Sequence, residues 1–263
     1  MENKQHLFAI SVGPLKSVFL LCVFLSLTQA AFSQDAVSAD KKLNVSGTLS
    51  ITNNGISIVP ALDLGKPATL IKLSVGKRFR FEPELDFSMN GKPWQYLFWI
   101  GYDLIKSNRF MMTIDANAAY LFRTVPALVE GDKKSKNIIQ VRRVLGIDQN
   151  SRYFITSNFD IGLYYLFGYG FEASVPTQTH YLSLYSDLPA IPLFANLHLN
   201  IRPQIYYLKV DSETGLYAAS DFILGMDKIP FTISSTINKI IDSGIKGNND
   251  PLWDVSLNYS FHF

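Results

Sequence analysis

Apolar and polar residues alternate with a period of two through most of the chain. Successive side chains of a strand point to opposite faces, so these runs read as strands with one apolar and one polar face. The final run is the plainest. Trp253, Val255, Leu257, Tyr259, Phe261 and Phe263 are apolar, and Asp254, Ser256, Asn258, Ser260 and His262 stand between them. Residues 79–89 set Phe79, Phe81, Leu85, Phe87 and Met89 against Arg80, Glu82, Glu84, Asp86 and Ser88. Residues 110–122 set Phe110, Met112, Ile114, Ala116, Ala118, Tyr120 and Phe122 against Thr113, Asp115 and Asn117. The pattern recurs over 153–169, 193–207 and 229–238, whereas helical periodicity is weak.

Two architectures produce such alternation. A soluble sandwich turns the apolar faces inward; a transmembrane barrel turns them out to lipid and keeps polar faces in its lumen. Sandwich strands average roughly five or six residues and membrane strands about nine to eleven. Many runs here are of the longer kind, and their apolar faces are rich in Phe, Tyr and Trp, so the expected fold is all-β, a transmembrane antiparallel up-and-down barrel. Runs are predicted at 45–52, 56–64, 68–76, 79–89, 94–105, 110–122, 138–148, 153–169, 179–189, 193–208, 215–226, 229–240 and 252–263. Single-chain bacterial barrels have even strand numbers. The weak runs lie near Asn53-Asn54-Gly55, which reads as a tight turn or a bulge, so the expectation is about twelve strands, within ten to fourteen. Pro60, Pro83 and Pro203 fall inside predicted strands, and their missing N–H groups place them at bulges or strand ends.

The predicted connections alternate in length. Segments 106–109, 149–152, 190–192 and 227–228 are short, 124–136, 170–178 and 241–251 are long, and 209–214 is intermediate. Bacterial barrels have short periplasmic turns and long outer loops, so a chain ending in the periplasm has every long loop outside.

The first residues depart from this pattern. Lys4 and Lys16 precede an apolar stretch from Val18 to Leu27, and Ala31-Phe32-Ser33 follows with small residues where a signal peptidase reads. This predicts a signal peptide over 1–33, cleaved after Ser33 or alternatively after Ala30, and a barrel domain over 34–263. Cys22, the one cysteine, lies inside the apolar stretch after Leu21 rather than a small residue, which argues against lipid attachment. A single Cys also excludes a disulfide scaffold and a Cys-rich metal module, and a formal charge of +2 gives no basis for nucleic-acid binding.

Candidate chemistry is concentrated on polar faces. Arg80, Glu82, Glu84 and Asp86 share one strand face, with Lys72, Arg123, Arg142 and Arg202 as expected partners; they read either as a charged constriction or as a salt-bridged lumen filling. Asp115, Asp160 and His198 complete the expected lumen set with Arg142 and Arg202. Glu82 and Glu84, about 7 Å apart along a strand, are better explained as lumen carboxylates than as a glycosidase pair. His180, His198 and His262 lack a Gly-x-Ser-x-Gly partner motif. No cofactor or metal site is expected. Trp94-Gln95-Tyr96-Leu97-Phe98-Trp99 reads as an interfacial aromatic girdle.

The ending Tyr259-Ser260-Phe261-His262-Phe263 resembles the assembly signal of outer-membrane β-barrel proteins, apart from Asn258 where Gly is common. That resemblance implies recognition of Tyr259, Phe261 and Phe263 by the barrel-assembly machinery. The signal region ending Ala31-Phe32-Ser33, with Asn53-Asn54-Gly55-Ile56-Ser57, Gly65-Lys66-Pro67-Ala68, Phe81-Glu82-Pro83-Glu84 and Gly91-Lys92-Pro93-Trp94, is similar to small outer-membrane proteins of Bacteroidota. The resemblance implies a Gram-negative outer membrane and contact with its lipid, but no reaction. The leading expectation is a narrow channel or solute-binding barrel for a small solute or ion. The alternatives are a closed barrel acting through its outer loops, or a lipid-modifying enzyme using His180 or His198.

Overall fold

The computed structural model describes residues 43–128, 135–156, 159–194, 196–247 and 250–263. The signal-peptide reading of 1–33 lies outside these residues, as do 129–134 and 248–249 of two expected loops.

Fourteen strand segments form one antiparallel sheet: β1 (Asn44–Thr52), β2 (Ala68–Gly76), β3 (Phe79–Ser88), β4 (Pro93–Lys106), β5 (Phe110–Leu128), β6 (Ser135–Thr156), β7 (Phe159–Gly170), β8 (Gln178–Tyr185), β9 (Leu188–Phe194), β10 (Leu197–Val210), β11 (Glu213–Met226), β12 (Phe231–Ser243), β13 (Leu252–Trp253) and β14 (Ser256–His262). β8 and β9 both pair with β10, and β13 and β14 both pair with β12, so each pair is one interrupted stave and the wall has twelve. β14 pairs with β1 from Ser46↔His262 to Thr52↔Ser256 and closes the barrel. Closure pairs both edges of most staves; among the described residues the short segments β9 and β13 are paired on one side only, with β10 and β12.

The wall is apolar outside and polar inside. Leu49, Ile51, Ile100, Ile147, Leu184, Ile233 and Leu257 are exposed, while Ser50, Thr52, Asp86, Asp148, Asp160 and Asn258 are buried. Burial of the polar face is what an outward apolar band around a lumen requires.

Three sequence expectations need correction. The run 56–64 is no strand: it lies in the connection 53–67, and Pro60–Leu62 forms a short 3-10 helix. The predicted turn at 149–152 is inside β6. Asp148-Gln149-Asn150-Ser151-Arg152 resembles turn sequence, but its polar groups are used in the wall. Tyr164 Oη donates to Asp148 Oδ2 (2.9 Å), Tyr185 Oη donates to Asn150 Oδ1 (2.7 Å), and Gln149 Nε2 donates to Ser151 Oγ (2.5 Å). The predicted turn at 190–192 is likewise inside β9.

The strand prolines sit where pairing lapses. The β2–β3 register passes from Lys72↔Glu84 to Val75↔Phe81, leaving Pro83 in the gap. The Pro203 carbonyl accepts from Ser186 N–H at the break between β8 and β9, so the missing proline donor faces that interruption.

Segment 53–67 folds into the barrel rather than away from it. Its backbone closes on itself: Gly55 N–H donates to the Lys66 carbonyl (2.9 Å), Leu64 N–H to Gly55 (3.0 Å), and Ser57 N–H to Asp63 Oδ1 (2.6 Å). A connection inside a protein needs such internal satisfaction of its polar groups. One side packs Leu62 on Ala119, Leu121 and Val175, with Leu97 and Val144 beside them. Trp94 Nε1 donates to the Leu62 carbonyl (3.0 Å). Trp94 is therefore buried and is not part of an outer girdle; the bulge between Asp86 and Phe87 turns it inward.

Candidate functional site: the barrel interior

The interior divides along its axis. At the end bearing the long connections it is filled. Segment 53–67 lies between the apolar inner wall of β4–β6 and an inward row of tyrosines on β7, β8, β10 and β11. Tyr206 and Tyr217 stack with ring centroids 4.8 Å apart, Tyr181 lies 4.9 Å from Tyr206, and Tyr164 meets Tyr181 edge-on at 5.8 Å. Ile245, from the connection after β12, closes over this cluster. Two modest cavities flank the segment. One of about 240 Å³ runs from Ile56–Ile58 to Tyr206, Thr236 and Asn238. The other, about 320 Å³, runs from Ile58 and Val59 to Glu84, Trp99 and Asn117.

Towards the end bearing the N-terminal start of β1, the interior is open and charged. Cavities of about 480 and 540 Å³ lie there, the first bordered by Arg152, Asp187, Arg202 and Asp221, the second by Ser46, Arg80, Asp103 and Lys106. Arg80, on β3, is shared by Glu82 (3.3 Å), Asp103 and Asp115 (3.4 Å). Gly101 makes this possible, because a Cβ there would collide with both the Asp115 carboxylate and the Arg80 guanidinium. Arg152 pairs with Asp160 and with Asp187 (2.7 Å), and Asp187 also takes Arg202 (2.5 Å). Asp187 N–H donates to Asp160 Oδ1 (3.1 Å), so the break between β8 and β9 is tied to this network. Between the levels, Lys72 pairs with Glu84 (3.0 Å), and Gln95 Nε2 donates to Asp86 Oδ2 (2.7 Å).

Carboxylates prevail in this half. Among the described residues, Asp148 and Asp221 there, and Asp86 and Asp254 nearer the filled end, have no cation within ion-pairing distance and are held by neutral donors instead: Tyr164 and Thr236 for the first two, Gln95 for Asp86, and Thr52, Ser256 and the Thr236 N–H for Asp254.

The residues singled out in sequence thus fall into separate places. Arg80, Glu82 and Asp115 form one cluster, Glu84 and Asp86 a second with Lys72, and Asp160 and Arg202 a third through Arg152 and Asp187. His198 lies near the open end, 3.4 Å from the Asp227 carboxylate. Arg142 stands apart at the filled end, donating to the Ser174 carbonyl (3.0 Å). Of the expected partners for the β3 carboxylates, Lys72 takes that place; Arg202 and Arg142 are engaged elsewhere. His180 is on the outward face, where Tyr165 Oη lies 2.8 Å from its Nδ1, so it does not line the lumen. Tyr259 and Phe261 share the outward face of β14, and Phe263 is exposed at its end.

Asp103, Arg152 and Asp187 were missed by sequence reading. Asp103 extends the polar face of β4 by one step past Gly101. Arg152 and Asp187 were hidden by the false turn at 149–152 and by the break after β8.

No family model matches the chain, and no curated protein matches it in sequence. Solved structures match it in fold. A KdgM porin, alone and in complex with disordered oligogalacturonate, matches at 10% identity over 83% of this chain and 99% of its own, with a TM-score of 0.50. The NanC porin matches at 11% identity over 83% and 98%, with a TM-score of 0.44. The fold of this chain is that of outer-membrane β-barrels.

Proposed function

We propose that the chain is a narrow pore of a Gram-negative outer membrane, of the small barrel type found in Bacteroidota, and that its charged half-lumen favours small cations over anions. The observation that carries this reading is the uneven charge of the open half: one arginine serves Glu82, Asp103 and Asp115 together, while Asp148 and Asp221 have only neutral donors. Rings or clusters of carboxylates in a pore wall raise local cation concentration and exclude anions. An acidic sugar chain such as that in the KdgM porin complex would meet repulsion in this half. With the termini in the periplasm, as short turns and long outer loops imply, the charged half faces the periplasm and the filled half faces outward.

The narrowness supports the pore reading only if ions pass segment 53–67. The close packing of that segment favours a second reading, a closed barrel acting through its outer surface. Planar-bilayer recording on refolded protein separates the two. The pore reading expects small discrete steps with a cation-selective reversal potential, reduced in Glu82→Gln and Asp115→Asn. Inserted, folded protein without steps would leave the closed barrel standing.

A further inference from the structure

A third region lies above segment 53–67, at the long-loop end. A cavity of about 490 Å³ is floored by the segment itself and walled by β3–β6. Its charged lining consists of Lys66, Lys92, Arg123 and Arg142, with Asp63 as the one carboxylate among the described residues that border it.

Arg142 is the unusual member. It is 5% exposed, and its Nε is buried with no hydrogen-bond partner. Nη1 reaches a neutral carbonyl, that of Ser174, and among the described residues no carboxylate lies within ion-pairing distance. The inward arginines of the open half, Arg80, Arg152 and Arg202, are each paired with at least one carboxylate. A buried cation without a counter-charge is costly, and a guanidinium with free donors is suited to a planar or tetrahedral oxyanion. Arg123 beside it has the same sign, and Glu172, whose charge also reaches Arg142, is held in an ion pair with Arg143 (2.7 Å). Leu121 pairs with Arg142 and Arg123 pairs with Gln140, so Arg123 and Arg142 occupy adjacent inward positions on neighbouring staves. Lys66 and Lys92 approach from the segment and from the β3–β4 turn. The sole carboxylate is already engaged, since Asp63 Oδ1 accepts from Ser57 N–H at 2.6 Å.

We propose that this vestibule binds a water-soluble oxyanion, a phosphate- or carboxylate-bearing solute, and holds it rather than passing it. Arg123 and Arg142 lie on the inner face of the wall, on the side away from lipid. Pro60–Leu62 close the floor, and the carboxylate-rich half beneath repels an anion that might go further. The site stands whether or not the barrel conducts.

Isothermal titration of the refolded full-length barrel with tripolyphosphate and with citrate, at low ionic strength, tests this. The expected result is saturable one-to-one binding of both. Arg142→Gln should weaken it about tenfold, through loss of charge-assisted hydrogen bonds. Lys92→Gln, in an exposed turn, should weaken it about threefold, and Lys106→Gln at the opposite mouth should leave it unchanged. Should Arg142→Gln fail to fold, Arg123→Gln with Lys92→Gln carries the test. Absence of saturable binding to the unmodified protein would overturn the proposal. So would unchanged affinity in the Arg123→Gln and Lys92→Gln variants, or equal weakening by Lys106→Gln.

Discussion

The two ends of the barrel interior use buried charge in opposite ways. Near the start of β1, Arg80 is surrounded by carboxylates, and its removal would take the shared cation from three of them, leaving Lys106 near Asp103 and the Ser74 hydroxyl on Glu82. Near the long connections, Arg142 is buried more deeply, yet among the described residues it forms no ion pair and donates to the neutral Ser174 carbonyl. The apolar content differs in the same sense. The open half is lined by charge and hydrogen-bonding groups, whereas the filled half has an internal core of Leu62, Ala119, Leu121 and Val175 on one side and stacked tyrosines on the other. One end is therefore lined by charged and polar groups around open space, and the other is packed. The difference teaches that a barrel wall can keep its outer face uniform while its inner face changes from solvent-lining to core-forming within one strand: β5 carries Asp115 and Asn117 inward, then Ala119 and Leu121.

The largest expected effect breaks the contrast between the two arginines. Arg80→Met should destabilise the barrel by about 3–5 kcal/mol, because it leaves three inward carboxylates without their shared cation. Arg142→Met should cost no more than about 1 kcal/mol, because it orphans no carboxylate. Denaturant titration in detergent, followed by gel mobility of unboiled samples, measures both; similar losses would erase the distinction.

Next in size is the anchor of the inner segment. Trp94→Ala removes a buried ring and its hydrogen bond to the Leu62 carbonyl, at a cost of about 3 kcal/mol. In bilayers the same variant should conduct more than the unmodified protein, because segment 53–67 loses its hold. Unchanged conductance would show that the segment does not limit passage.

A smaller effect is set by pH. Burial raises the Asp63 carboxyl to about 6, and the hydrogen bond from Ser57 N–H only partly offsets this. A carboxyl whose folded value lies above its unfolded value binds more protons when folded, so stability falls as pH rises through that interval. Docking of the segment should thus weaken between about pH 4 and 6, tempered by Lys66, Lys92, Arg123 and Arg142 facing the same cavity. Asp63→Asn keeps an acceptor for Ser57 and should flatten this dependence in thermal melts across that range.

The smallest effect is at the surface. Glu172 pairs with Arg143 at 2.7 Å, but Arg143 is largely exposed, so Glu172→Gln should change stability by less than about 1 kcal/mol.

The wall was legible in the sequence because lipid on one side and a lumen on the other enforce a strict two-residue alternation, as in β3 and β14. The same alternation misled at Ile56–Leu64, where apolar residues recur at every second position but have no strand to pair with, and Pro60 cannot donate to one. The inner segment does leave a trace in its receiving wall. The polar face of β4 gives way at Leu97 and Trp99, and that of β5 at Ala119 and Leu121; a lumen face that turns apolar needs something to pack against it. Turn-like composition concealed Arg152, because Asp, Asn and Ser serve equally in a loop and on a hydrogen-bonded inner wall. Arg143, a charge on the outward face of β6, meets Glu172 on the adjacent connection. The pairing of distant carboxylates with Arg80 and Arg152 depended on register between staves, which no local pattern encodes.

The account stands most directly on segment 53–67 being held inside the barrel. Residue-resolved hydrogen exchange in detergent micelles reads this at the amides of Gly55, Ser57, Leu62, Asp63 and Leu64, each of which donates within the segment. The structure predicts protection at these amides of at least about a hundredfold over an open loop, and its reduction in Trp94→Ala while the strands stay protected. Exchange at the rate of an unstructured chain would contradict a filled outer half and with it the division of the interior.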